Sequence, residues 1–146
     1  MTFEPSMKKY LFLLFTLITL KSFAQNPPNW TDKQLMEPAT LAQSIKSGKD
    51  VPVILCVGPG ASIPNSIHIG MTKDEDNQKK LKEQLKNYKK NTKIVIYCGC
   101  CPFDHCPNVR PAISILKEMN FHNYYLLDLP HNLKTDWINP GYPVTQ

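Results

Sequence analysis

Arginine is almost missing from this chain: Arg110 stands alone against sixteen lysines among 146 residues. A planar guanidinium fork is therefore available at one position only. The N-terminal apolar stretch, Tyr10 to Leu20, has just eleven residues, too few to cross a bilayer. The lysine-rich segment from Lys79 to Lys93 lacks the interleaved aromatics of a nucleic-acid surface, since Tyr88 belongs to an apolar stripe. It reads as a solvated helix face, and no nucleic-acid partner is expected. Internal repeats and low-complexity tracts are also absent, which argues against an array of small units.

The N-terminus has the form of an export signal. Lys8 and Lys9 precede the apolar stretch, and Ser22-Phe23-Ala24 places small residues at −3 and −1 of a cleavage site. Residues 1–24 are expected to be a cleaved signal peptide, with Met7 an alternative start because Glu4 suits a basic leader poorly. No cysteine lies near the cut, so a lipid anchor is not expected and no stable membrane anchor remains after cleavage. The protein is expected to be exported, periplasmic or secreted. The mature chain would hold 122 residues with a net charge of +3, enough for one domain with a core and too mildly basic to indicate a polyanionic partner.

Residues 25–35, with two prolines, read as a linker, and 36–146 as the domain. Pro38 is placed to open a helix with Leu41 and Ile45 on one face, and Gly48 to stop it. Val51 to Val57 reads as a buried strand broken by Gly58-Pro59-Gly60, and Ile67 to Ile69 as a second strand. Thr72 and Glu75 are spaced as a capping box for a helix reaching about Tyr88, with Leu81 and Leu85 in its stripe. Lys93 to Tyr97 and Tyr124 to Leu127 read as strands. Between them lies a helix capped by Asn108, with Ala112, Ile115, Leu116 and Met119 facing inward. Strands alternating with helices indicate an α/β fold with a mostly parallel sheet.

Four of the five cysteines, Cys98, Cys100, Cys101 and Cys106, fall within nine residues between a strand and a helix N-terminus. That position favours ligand sites, and helix-end amides stabilise a thiolate there. An odd number of cysteines in an oxidising compartment leaves at least one thiol free or paired elsewhere. A disulfide is expected among Cys100, Cys101 and Cys106, as Cys101–Cys106 or Cys100–Cys106, the adjacent pair being the most strained. The donors Cys98, Cys100, Cys101, His105 and Cys106 also suit Zn²⁺ or Cu⁺. Their spacing is not that of paired zinc knuckles, however, and Cys100 and Cys101 should diverge on an extended backbone, so no metal is expected by preference. Cys56 and His68 read as core residues, Asp104 as a turn residue or a partner of His105, and Asp128 as a residue at a pocket mouth.

The chain resembles the rhodanese-like domains. Ile63-Pro64-Asn65-Ser66-Ile67-His68-Ile69 is similar to their H-I-P-G-A segment, and Ile94-Val95-Ile96-Tyr97-Cys98 to the strand ending in the active cysteine. Phe121-His122-Asn123-Tyr124-Tyr125-Leu126-Leu127 and Trp137 with Gly141-Tyr142-Pro143-Val144 resemble the last strand and the closing segment. The loop Cys98-Gly99-Cys100-Cys101-Pro102-Phe103-Asp104-His105-Cys106-Pro107-Asn108-Val109-Arg110-Pro111-Ala112 resembles an exported subgroup with the pattern C-G-C-C-P-[WF]-x-x-C-P-N-[IV]-R-P-A. The resemblance implies a rhodanese-like central sheet with helices on both faces, and a sulfurtransferase needing no cofactor. Cys98 would be its nucleophile, forming a persulfide. Gly99, Cys100 and Arg110 would steady the anion, and the partner would be a small sulfur-containing anion or a thiol acceptor. Three departures set limits. The family's D-x-R is replaced by Cys56-Val57-Gly58, Asn65 stands for a glycine, and Arg110 lies twelve positions after Cys98, too far for the usual short cradle. Two other readings remain open: a non-catalytic module binding metal or a partner through this loop, and an exported thiol–disulfide oxidoreductase with a reducible loop disulfide.

Overall fold

The computed structural model describes residues 28–145. The expected signal peptide and the first part of the expected linker lie outside them. The central sheet has five strands, in the order β1-β5-β4-β2-β3, and every pairing is parallel. The strands are β1 (Leu35–Met36), β2 (Val53–Cys56), β3 (Ser66–His68), β4 (Ile94–Tyr97) and β5 (Tyr124–Leu127). The helices are α1 (Pro38–Ser47), α2 (Glu75–Leu85) and α3 (Val109–Glu118). A π-helical turn spans Lys134–Ile138.

The inner strands β2, β4 and β5 are apolar or aromatic in every position because both sheet faces are covered, whereas the edge strand β3 is Ser-Ile-His. Their two-residue period divides the core in two. Leu55, Ile94, Ile96 and Leu126 pack with Leu81 and Leu85 of α2 and with Ala112, Ile113 and Leu116 of α3. Ile54, Cys56, Val95, Tyr97 and Leu127 pack on the other side with Leu41 and Ala42 of α1 and with Trp137. Helix α1 runs as its sequence implies, with Pro38 in the first turn and Gly48 left-handed at its end (φ 66°).

Three local expectations are corrected. Thr72 caps nothing: Asp74 precedes α2, and buried Thr72 donates its hydroxyl to the carbonyl of Asn108. Asn108 precedes α3 with helical backbone angles and makes no side-chain cap. The expected linker is in part structured, because Leu35 belongs to β1 and Trp30 is buried in the α2–α3 core.

The connection after β2 leads to β3 on one side, whereas that after β4 leads to β5 on the other. The gap between the carboxyl ends of β2 and β4 is therefore the topological switch point of the sheet, where α/β proteins place their ligands. Gly58 and Cys98 follow those two strands.

Candidate functional site

Parity along β4 decides where Cys98 points. It lies two residues beyond Ile96, and its side chain joins the α2–α3 face, while Tyr97 and Cys56 join the α1 face. The backbone of Gly58 presses against it so closely that a Cβ on Gly58 would stand 2.7 Å from the Cys98 Sγ. Cys98 itself is only 2 % exposed.

The chain then folds three more sulfurs back onto Cys98. Its Sγ lies 3.4 Å from that of Cys100, which lies 3.2 Å from that of Cys101. With Cys106, all four sulfurs lie within 4.8 Å of one another. Cys106 is buried, Cys101 half-buried and Cys100 exposed. A one-turn helix, Phe103–His105, turns the loop back toward the sheet. The Phe103 N–H donates to Leu129 (3.2 Å), and the Leu133 N–H donates to Gly99 (3.1 Å). Phe103 also meets the edge of Trp30, at 5.9 Å between ring centres.

Cys98 is held well below an ordinary thiol, at about 5. The Cys106 thiol donating to it is the largest cause; burial opposes, and the Cys100 backbone N–H, the Asn108 side chain and the Cys100 thiol add to the lowering. The same contact, together with burial, pushes Cys106 up. Burial of its sulfur, with donation to Cys101 and Cys98, pushes Cys100 up to about 12. Cys98 and Cys106 thus behave as a coupled pair sharing one proton, with the negative charge resting on Cys98.

Asn108 is oriented for this task. Its Oδ1 accepts the Lys73 N–H at 3.1 Å, which turns Nδ2 toward the Cys98 Sγ at 3.5 Å. The chain therefore uses Asn108 to join the segment before α2 to the sulfur cluster rather than to cap α3.

Of the residues picked out by sequence, Cys98, Cys100, Cys101 and Cys106 come together. The rest divide. All five cysteines are free thiols in the structure, with the sulfurs of Cys100, Cys101 and Cys106, among which a disulfide is expected, within 4.8 Å of one another. Cys100 and Cys101 do not diverge, because the loop turns between strand and helix instead of running extended. His105 is exposed, pairs with Asp104 at 2.8 Å and is not one of the clustered ligands. Gly99 packs on Leu133, with 3.0 Å available to a Cβ. The Arg110 guanidinium lies 5.1 Å over the Trp30 ring, and the Arg110 carbonyl accepts from the Asn29 side chain at 3.0 Å. Cys56 is a core residue as expected, its Sγ 3.1 Å from the Gly60 carbonyl. His68 is not a core residue: it ends the edge strand β3, exposed, with Nε2 3.0 Å from the Gly58 carbonyl. Asp128 lines a separate depression of about 320 Å³ with Glu37, Asp136 and Tyr142, and burial raises its carboxyl. The sequence reading missed Gly58, Thr72, Trp30 and the second role of Asn108. The absent D-x-R, with Cys56-Val57-Gly58 in its place, was the one available signal.

Residues 59–129 match the family model of the rhodanese-like domain. The chain carries a rhodanese-like domain. That domain supports a sulfurtransferase-type family. A search of the curated proteins returned no match. Among solved structures, the Alr3790 protein from Anabaena sp. superposes with a TM-score of 0.53 at 16% identity, over 75% of this chain and 90% of that one. This likeness concerns the fold. In this rhodanese-like domain the cysteine loop is the longer form expected from its sequence. Its cradle for Cys98 is accordingly assembled from side chains and one loop amide as well as from the turn itself.

Proposed function

We propose that this chain is an exported sulfurtransferase in which Cys98 accepts a sulfane sulfur and carries it as a persulfide. One observation carries the reading: the Cys106 thiol, the Cys100 amide and the Asn108 side chain converge on a single sulfur at the switch point of the sheet. A thiolate attacks sulfur where a thiol does not, and a low-pKa thiolate is also a good leaving group. With a thiosulfate-type donor, Cys98 attacks the outer sulfur, the bond to the sulfite sulfur breaks, and sulfite departs with the electron pair. An acceptor thiolate then attacks the outer sulfur of the persulfide, and the Cys98 thiolate is released.

Cys98 is buried and Cys100 is the exposed member of the cluster, so on this reading a donor approaches from the Cys100 side and the Gly99–Cys100 segment swings aside during turnover. Export rests on the leader pattern in residues 1–24. Among the described residues no helix is long and apolar enough to cross a membrane.

The test is intact-mass analysis of the reduced protein after exposure to thiosulfate. The expected result is a gain of one sulfur atom mapped to Cys98, with sulfite released, and neither in Cys98→Ser. Reduced, folded protein that gains no sulfur and releases no sulfite would overturn the assignment. Arg110→Lys tests the anion role of the guanidinium: a weaker apparent affinity for thiosulfate supports it, and an unchanged one assigns Arg110 to packing on Trp30.

A further inference from the structure

We propose that Cys98, Cys100, Cys101 and Cys106 form a four-sulfur seat for one soft d10 cation, Zn²⁺ or Cu⁺. A zinc–thiolate bond of about 2.3 Å implies a sulfur–sulfur edge of roughly 3.8 Å in a tetrahedron. Two of the sulfur–sulfur contacts are 3.4 Å and 3.2 Å, and all four sulfurs lie within 4.8 Å of one another, a range that includes that edge. An all-sulfur donor set rejects magnesium and calcium, which take oxygen.

Burial is graded across the seat. Cys98 and Cys106 close its inner side, Cys101 is half-buried, and Cys100 forms the outer lip through which an ion enters. Outer support is in place, since Asn108 Nδ2 is directed at the Cys98 sulfur and is itself oriented by the Lys73 N–H. The loop is fastened near its start by the Leu133–Gly99 hydrogen bond and in its middle by the Phe103–Leu129 hydrogen bond. The ligands are therefore gathered before the ion arrives. Binding forms four metal–sulfur bonds, releases the remaining thiol protons to water and changes no oxidation state. It also occupies Cys98, so a loaded site and a persulfide exclude one another. The seat stands on its own geometry, and it survives if Cys98 transfers no sulfur.

The experiment uses the full chain, reduced, stripped of metal and kept free of oxygen. It is titrated with Zn²⁺ in one arm and with Cu⁺ held by a competing chelator in another, with Co²⁺ as the spectroscopic stand-in for zinc. One equivalent of Zn²⁺ or Cu⁺ should bind, and Co²⁺ should show the intense visible bands of a tetrahedral thiolate site. Cys100→Ser, a change at an exposed position, should weaken binding by more than about tenfold, the loss that even an outer-sphere substitution causes. Cys101→Ser should do the same, while Cys56→Ser and His105→Ala leave affinity unchanged. Preference for one ion over the other decides which fills the seat. Sub-stoichiometric binding of both ions, or affinity indifferent to Cys100→Ser and Cys101→Ser, would overturn the proposal.

Discussion

Gly58 and Cys98 are in contact across the switch point of the sheet, with 2.7 Å between a notional Gly58 Cβ and the Cys98 Sγ. Any side chain at position 58 must push the sulfur away from its donors or push the loop outward. Gly58→Ala is therefore expected to destabilise the fold by about 1–3 kcal/mol through overpacking. It should also raise the Cys98 thiol. Denaturant unfolding and thiolate absorbance against pH check the two effects. A variant as stable as the parent with an unchanged thiol would show that the contact is slack.

The pH dependence has a defined sign. The folded-state Cys98 lies at about 5, below its reference of 9.0, so its ionisation favours folding fully above the reference value. That contribution falls as pH drops toward 5 and is gone below it. Cys106, raised in the fold, works in the opposite sense and loses its contribution as pH rises above 9.0. Unfolding of the reduced protein at a series of pH values between these limits should show stability increasing with pH, and Cys98→Ser should flatten the slope. Cys106→Ala removes the largest cause of the shift and should move the Cys98 thiol up.

Asn108 separates charge from shape. In Asn108→Asp the carboxylate still accepts the Lys73 N–H but sets a second negative charge beside the Cys98 sulfur. The Cys98 thiol should rise and persulfide formation at neutral pH should slow. Asn108→Ala loses both contacts and should cost about 1 kcal/mol of stability, a typical net value for a hydrogen bond. Equal thiol behaviour in the two variants would mean that Asn108 serves only to fasten the chain.

Trp30 bridges the N-terminal segment to the loop, touching Phe103 at 5.9 Å and lying under Arg110 at 5.1 Å. Trp30→Ala should destabilise the domain by about 3 kcal/mol, the lower end for truncating a buried aromatic. It should also accelerate the reaction of Cys101 with a thiol reagent, because Cys101 packs against the same core cluster. A chain trimmed to begin at Leu35 should behave in the same way, whereas a true linker would be dispensable.

Much of the fold was legible because it depends on local rules. Pro38 and Gly48 bound a helix through their backbone preferences, and Tyr124 to Leu127 could only be a strand buried on both faces. The misreadings share a cause. Thr72 and Asn108 both carry cap-forming side chains, and a cap is the nearest use for them along the chain. Folding brings position 72 to position 108, and each side chain takes a partner far away in sequence. Trp30 was set aside with its prolines because nothing local indicates the core it enters.

The linear chain by itself determined the kind of chemistry: four sulfurs between a strand and a helix, one guanidinium beside them, and alternation that indicates a mostly parallel sheet. Tertiary structure decided which sulfur holds the charge, that His105 stands outside the cluster, and that Gly58 and Asn108 belong to the site. Charge placement depends on donors contributed by separate segments and on depth from solvent, and neither quantity exists until the sheet has closed around Cys98.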